Sequence, residues 1–165
     1  MSMEKVKLSK RKKQLIYRLN ELCFGMHGHL SALLKDLTYF FYFKKCRNNN
    51  FSDLYLQSLF FHLKHLVALT KLIEELGGYP RIIEYKNNQI DYYCLKANRK
   101  VANKVALFDS IASQKLILND YLRLKKIIED EKIMALIDDE IENVKNDLNL
   151  FLLKLTTNGE KMLNN

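Results

Sequence analysis

Early in the chain Leu15, Leu19, Leu22, Met26, Leu30, Leu33, Leu37 and Phe40 recur at three- and four-residue steps, the period of one helical face. They predict a first helix from about Ser9 to Lys45, ended by "CRNNN", which is too polar to continue an apolar stripe. Tyr55, Leu59, His62, Leu66, Leu69, Ile73 and Leu76 form a second stripe at coiled-coil spacing. A second helix is therefore expected from "FSDLYLQSLFF" to Leu76, with Ser52 placed to cap its start and Gly77 placed to take the left-handed position that closes it.

The stretch "YPRIIEYKNNQIDYY" loses the period and is longer than a turn between neighbouring helices. A connection of that length lets the third helix run parallel to the second, as a crossover requires. The third helix is expected from about Leu95 or later to Ile128, and the fourth from about Lys132 to Leu155, with "EDE" at 129 to 131 as the turn between them. The pattern predicts an all-α fold in which two helical hairpins are joined by one long crossover. One domain spans residues 1–165, its bundle covering about 9–157 after a basic tail, 1–8.

Composition agrees with long helices and short links: the 165 residues are 48% hydrophobic, with five glycines and one proline. No run of eighteen or more uninterrupted apolar residues occurs, and "MSMEKVKLSKRKKQL" has no apolar segment behind its charges. A cytoplasmic protein with no membrane partner is expected. Cys23, Cys46 and Cys94 make no CxxC pair and would leave one over if two bridged, so they are read as reduced thiols. The formal charge of +8 raises nucleic acid as a partner, but Lys5, Lys7, Lys10, Arg11, Lys12 and Lys13 crowd at one end without an accompanying RNA-binding motif, zinc-finger spacing or glycine-rich loop. A solvated basic start is the reading adopted. No nucleophile elbow surrounds any serine, and "EDEKIMALIDDEIE" reads as a solvated helix face.

The aromatic run "YFFYF", Tyr39 to Phe43, cannot all face one core, so part of it is assigned to helix packing and the rest to a homodimer contact. The candidate chemistry lies on the stripes themselves. His29 and Asp36 interrupt the first, His62 lies within the second, and His65 lies one turn from His62 on its edge. Burying such groups costs about 2 kcal/mol or more each unless something inside satisfies them. Neutral imidazoles suit Zn, Cu, Fe or Ni, and carboxylates add affinity for Fe and Mn.

These segments resemble the ferritin-like superfamily, in particular bacterioferritin- and rubrerythrin-type di-iron bundles and small clostridial-style members. Family sequences read "GELSAILQY" where this chain reads "GHLSALLKD" from Gly28 to Asp36, and "EMxHLExLxxLIxxLGGxP" where it reads "HLKHLVALTKLIEELGGYP". "ExxAIxxY" corresponds to "QKLILNDY" from Gln114, and "DExxHIxxF" to "NVKNDLNLF" from Asn143. The likeness covers about Leu19 to Leu155, with "LIEELGGYPR" its most specific piece.

The resemblance implies a di-metal centre built from a glutamate on each of two helices and a Glu-x-x-His pair on each of the others. Here those positions hold His29, then His62 and His65, then Gln114, then Val144 and Asp147, so only His65 is retained. Tyr121 matches the family tyrosine of the third helix, whereas Asp36 replaces that of the first; a four-residue shift on the fourth helix would substitute Glu140 and Asn143 for Val144 and Asp147. Without bridging glutamates a pair of adjacent cations is not held, so no ferroxidase or peroxide-reducing centre is expected. What remains, His29, His62, His65 and Asp147 with Gln114, suits one ion of Fe, Zn, Mn or Cu. Equally open is a metal-free bundle in which these groups hydrogen-bond to one another and the protein serves structure or interaction.

Overall fold

The computed structural model describes residues 9–81 and 103–163, with side chains to residue 157. Among the described residues every regular element is an α-helix: α1 Lys10–Phe24, α2 His29–Lys45, α3 Asn49–Glu75, α4 Asn103–Lys125 and α5 Glu131–Leu163. The basic tail, most of the long connection and Cys94 lie outside the described residues.

The expected continuous first helix is broken into α1 and α2. Gly25 adopts an extended conformation (φ −69°, ψ 170°) and its N–H donates to Glu21 O at 2.8 Å, which turns the chain out of the helix. A Cβ on Gly25 would stand 2.4 Å from Glu21 O, and one on Gly28 2.6 Å from Leu22 O, so the turn is as tight as glycine allows. Met26, assigned to the inner stripe, is 44% exposed in this break. The link between the helices, residues 25–28, replaces about one 3.6-residue turn. Apolar spacing therefore survives across it, and that is why the pattern reads as one helix.

The α3 start also differs from expectation. Asn48 precedes its first residue, and the Ser52 hydroxyl donates to Asn49 O at 3.0 Å inside the first turn instead of capping it. The other end follows the expected closure: Gly77 has φ 73°, its N–H donates to Glu74 O (2.8 Å), and Gly78 N–H donates to Ile73 O (2.9 Å). The same pair of bonds ends α2, from Arg47 N–H to Lys44 O (3.1 Å) and Asn48 N–H to Phe43 O (2.9 Å), with Arg47 at φ 56° in the glycine place. At the start of α5, Asp130 Oδ1 accepts from the N–H groups of Lys132 (2.9 Å) and Ile133 (3.1 Å).

Short links fold α2 back along α3 and α4 back along α5, while α1 lies against α2, α3 and α4. Buried Asn20 ties α1 to the exit of α3: its Oδ1 accepts from Arg81 N–H at 2.7 Å and its Nδ2 donates to Tyr79 O at 3.4 Å.

The apolar interior forms two clusters. One gathers Leu19, Ala32, Leu66, Leu69, Ile117, Tyr121 and Val144; the other gathers Tyr39, Phe43, Tyr55, Ile111, Leu148 and Phe151. In each of α2 to α5 a buried polar residue falls between the members of the two: Asp36, His62, Gln114 and Asp147. A polar layer thus crosses the core. Of "YFFYF", Tyr39 and Phe43 are buried, Phe40 and Tyr42 are half-buried, and only Phe41, 62% exposed, faces outward. No helix among the described residues is long and apolar enough to cross a membrane.

Candidate functional site

Helical periodicity delivers the site residues from four helices. His29 opens α2, and Asp36 follows two turns later on the same face. On α3, Ser58, His62 and His65 succeed one another at four- and three-residue steps, and on α4 Gln114 and Tyr121 are seven apart. On α5, Glu140 and Asp147 are also seven apart, with Val144 between them. His29, Asp36, Ser58, His62, His65, Gln114, Tyr121 and Asp147 are all at most 2% exposed.

Every donor the sequence nominated is therefore brought together: His29, His62, His65, Gln114 and Asp147. Both α5 alternatives contribute in part. Val144 faces inward as apolar core and Asp147 as a polar group, while Glu140 touches His65 and Asn143 is exposed. His27 lies outside, lining a surface cavity of about 180 Å³ with Arg18, Glu21, Asp120 and Arg123.

The contacts form a continuous chain. The Gln114 amide nitrogen bonds Asp147 Oδ2 and lies 3.1 Å from His62 Nε2; His62 Nδ1 lies 2.9 Å from His29 Nδ1; His29 Nε2 lies 3.0 Å from Tyr121 Oη; and Tyr121 Oη lies 3.3 Å from His65 Nδ1. With the amide oriented this way, the directions follow from donor count. Gln114 donates to His62 Nε2, so the His62 proton is on Nδ1 and is donated to His29 Nδ1. His29 then donates from Nε2 to Tyr121, while His65 Nδ1 meets both Tyr121 Oη and the Glu140 carboxylate, and its tautomer sets the direction there. The rings of His29 and His65 also stack, with centroids 4.5 Å apart.

Ser58 Oγ donates to Asp147 Oδ2 at 3.1 Å. Asp36 Oδ2 stands 3.6 Å from His62 Nε2, and Glu140 Oε2 touches His65 Nδ1. The unsatisfied atoms of this layer are all oxygens: Asp36 Oδ2, Gln114 Oε1 and Glu140 Oε2 are buried without a hydrogen-bond donor. The cluster is rich in lone pairs and short of hydrogens.

Burial governs the charge states. It lowers His29 well below the ordinary value, helped by His62 and His65, and it lowers His62 to about 3 and His65 to about 4. It raises Asp36 to about 7 and Asp147 to about 6. At neutral pH the imidazoles are thus uncharged, and the His62–Asp36 approach is not an ion pair. Burial, with Cys23 nearby, also raises Tyr121 well above its usual range, and burial pushes the Cys23 thiol up to about 12. Cys23 and Cys46 are both free thiols.

Three neutral imidazoles beside orphaned carboxylate oxygens fit the demands of a transition-metal cation, which takes lone pairs from uncharged nitrogens and ionised carboxylates. Among the described residues, no three His, Cys, Asp or Glu side chains already stand around one point as ligands. The donors are instead turned toward one another. Asp36, Glu140, Ser58 and Tyr121 complete the layer; the inward phase of Asp36 was readable on the α2 stripe, while Glu140 required the α5 packing.

No family model, curated protein or solved structure matches this chain.

Proposed function

We propose that this protein is a ferritin-like four-helix bundle, two hairpins joined by a long crossover, that has lost the carboxylate-bridged di-iron centre, is not a ferroxidase, and binds a single transition-metal ion in its polar layer. The observation that carries this reading is the surplus of acceptors, three buried oxygens without a donor beside neutral imidazoles. His29, His62, His65, Asp147 and Gln114 are the available donors, and an ion of Fe, Zn, Mn or Cu would supply Lewis acidity or redox chemistry when bound. The replaced glutamates support the loss of di-iron chemistry, because nothing at Val144 can bridge two cations. A cytoplasmic location fits the free thiols of Cys23 and Cys46.

The test is elemental analysis of untagged protein, followed by add-back of Fe(II), Mn(II), Zn(II) and Cu(II). About one ion per chain is expected, with affinity reduced at least tenfold in His62→Ala. A second reading, a metal-free structural or interaction bundle, is favoured by the hydrogen bonds that already engage the three imidazoles. Failure of the wild-type protein to take up any of the four ions would select it.

A further inference from the structure

The two ends of the bundle differ in how their charges are met. Where α4 turns into α5, cations are matched to acids: Arg11 to Glu129, Lys125 to Asp138, and Arg123 to Asp120 at 3.3 Å. At the other end, where α2 turns into α3, Lys44, Lys45, Arg47 and Lys104 are exposed, and among the described residues no carboxylate pairs with any of them. Packing of Phe43, Phe51, Ala106 and Phe151 in one cluster brings these stretches together. Helix α5 adds Lys154, whose Nζ lies 5.4 Å from the centroid of the Phe51 ring. Residues 39–56, 103–108 and 148–157 thus set five cations against one carboxylate, Asp53, so this end is strongly electropositive.

Helix geometry accounts for Lys44 and Lys45, because cations suit the last turn of α2. It does not account for Arg47. That residue closes α2 at φ 56°, in a conformation that glycine takes without steric cost and asparagine takes more readily than arginine, and three asparagines follow it directly. Its guanidinium is exposed and meets no carboxylate among the described residues, so no ion pair offsets the strain. Strain kept at such a position points to a functional constraint on the side chain.

Phe41, 62% exposed, lies three and four residues before Lys44 and Lys45, so the ring and both cations share a face of α2. An exposed ring about one turn from a cation cluster suits a single strand of nucleic acid, whose bases stack on the ring while its phosphates meet the cations. An anionic bilayer fits the same charges less well. The tip, residues 44–50, carries no exposed large apolar side chain to insert, and Phe41 stands behind the cations, so headgroups that reach the lysines leave the ring in water.

We propose that this end of the bundle is an interface for single-stranded nucleic acid, with Lys44, Lys45, Arg47 and Lys104 on phosphates and Phe41 as a stacking platform. It lies outside the polar layer and does not depend on a metal there.

The experiment is fluorescence anisotropy of a labelled oligothymidylate of about 16 nucleotides, titrated with the full chain between about 50 and 200 mM KCl. Four phosphate contacts predict a slope of about −3 for log K against log[KCl], at about −0.7 for each contact on a single strand. Lys44→Gln/Lys45→Gln should make that slope shallower by about 1.4. Phe41→Ala should weaken binding about fivefold or more at every salt concentration and leave the slope unchanged. Arg47→Gly separates the proposal from a folding defect: it should weaken binding about threefold or more while melting above wild type. Lys12→Gln/Lys13→Gln, at the opposite end, should change affinity less than about twofold. Absence of binding at the lowest salt, unchanged binding in both Arg47→Gly and Lys44→Gln/Lys45→Gln, or binding that depends on Lys12 and Lys13 instead would each overturn the proposal. Capture by phosphatidylserine vesicles without affinity for the oligonucleotide would overturn it in favour of a lipid surface.

Discussion

Asp36 and the histidines beside it have opposite demands on pH. An aspartate moved from 3.8 when unfolded to about 7 when folded holds its proton more tightly in the native state. Its stabilising influence is complete below the unfolded value and is lost as pH rises toward 7. Asp147, raised to about 6, behaves alike over a narrower window. The imidazoles run the other way: lowered from 6.5 to about 3 for His62 and about 4 for His65, they favour the native state above 6.5 and oppose it as pH falls. Below pH 6.5 three histidines outweigh two aspartates, and above it Asp36 alone continues to subtract, so metal-free protein should be most stable near pH 6.5. Asp36→Asn should therefore gain on wild type between pH 5 and pH 8, by on the order of 2 kcal/mol. Urea midpoints with chelator present would measure this, and parallel profiles for the two proteins would contradict it. The sequence placed His29 and Asp36 on an inward stripe because helical phase is local. It did not reveal that His29 donates to Tyr121, since that bond joins residues 92 positions apart.

Two junctions with opposite fitness are visible among the elements. Arg47 occupies a left-handed conformation that costs a side chain about 1 kcal/mol relative to glycine, while its N–H and that of Asn48 still close α2. Arg47→Gly is thus expected to stabilise the protein by about 0.5–1 kcal/mol. Gly28→Ala should do the reverse, by about 1–3 kcal/mol, because its Cβ would meet backbone oxygens of Leu22 and Glu21 at 2.6 and 2.8 Å. Gly78→Ala is a useful contrast, since the nearest atoms there are side-chain carbons of Ile16 and Ile73, at 2.7 and 3.1 Å, instead of backbone oxygens. Thermal melts of the three variants should rank Arg47→Gly above wild type and Gly28→Ala lowest. Gly77 was legible as a helix stop from its place after an apolar stripe. Arg47 was not, because nothing local marks an arginine that the α2–α3 contact forces into the left-handed region.

At the scale of the molecule, the outer face of α3 repeats Phe60, Leu63 and Val67 at three- and four-residue steps, 54%, 45% and 64% exposed. Of the aromatic run, part of which the sequence assigned to a dimer contact, only Phe41 is largely exposed, so a homodimer of that kind would have to draw on α3 as well as α2. Sedimentation equilibrium at micromolar concentration should give twice the chain mass, reduced to one in Phe60→Ser/Val67→Lys; a monomeric wild type would remove the expectation. The sequence by itself determined the helical class, the approximate extent of the helices apart from the break in the first, and the inward phase of His29, Asp36, His62 and His65, because a 3.6-residue period and the cost of burying apolar surface act within each segment. Tertiary packing decided the break at Gly25 to Gly28, the entry of Glu140, and the pairing of each donor with its acceptor. Those outcomes depend on which lone pairs and backbone oxygens meet across helices, and no periodicity along one chain encodes that.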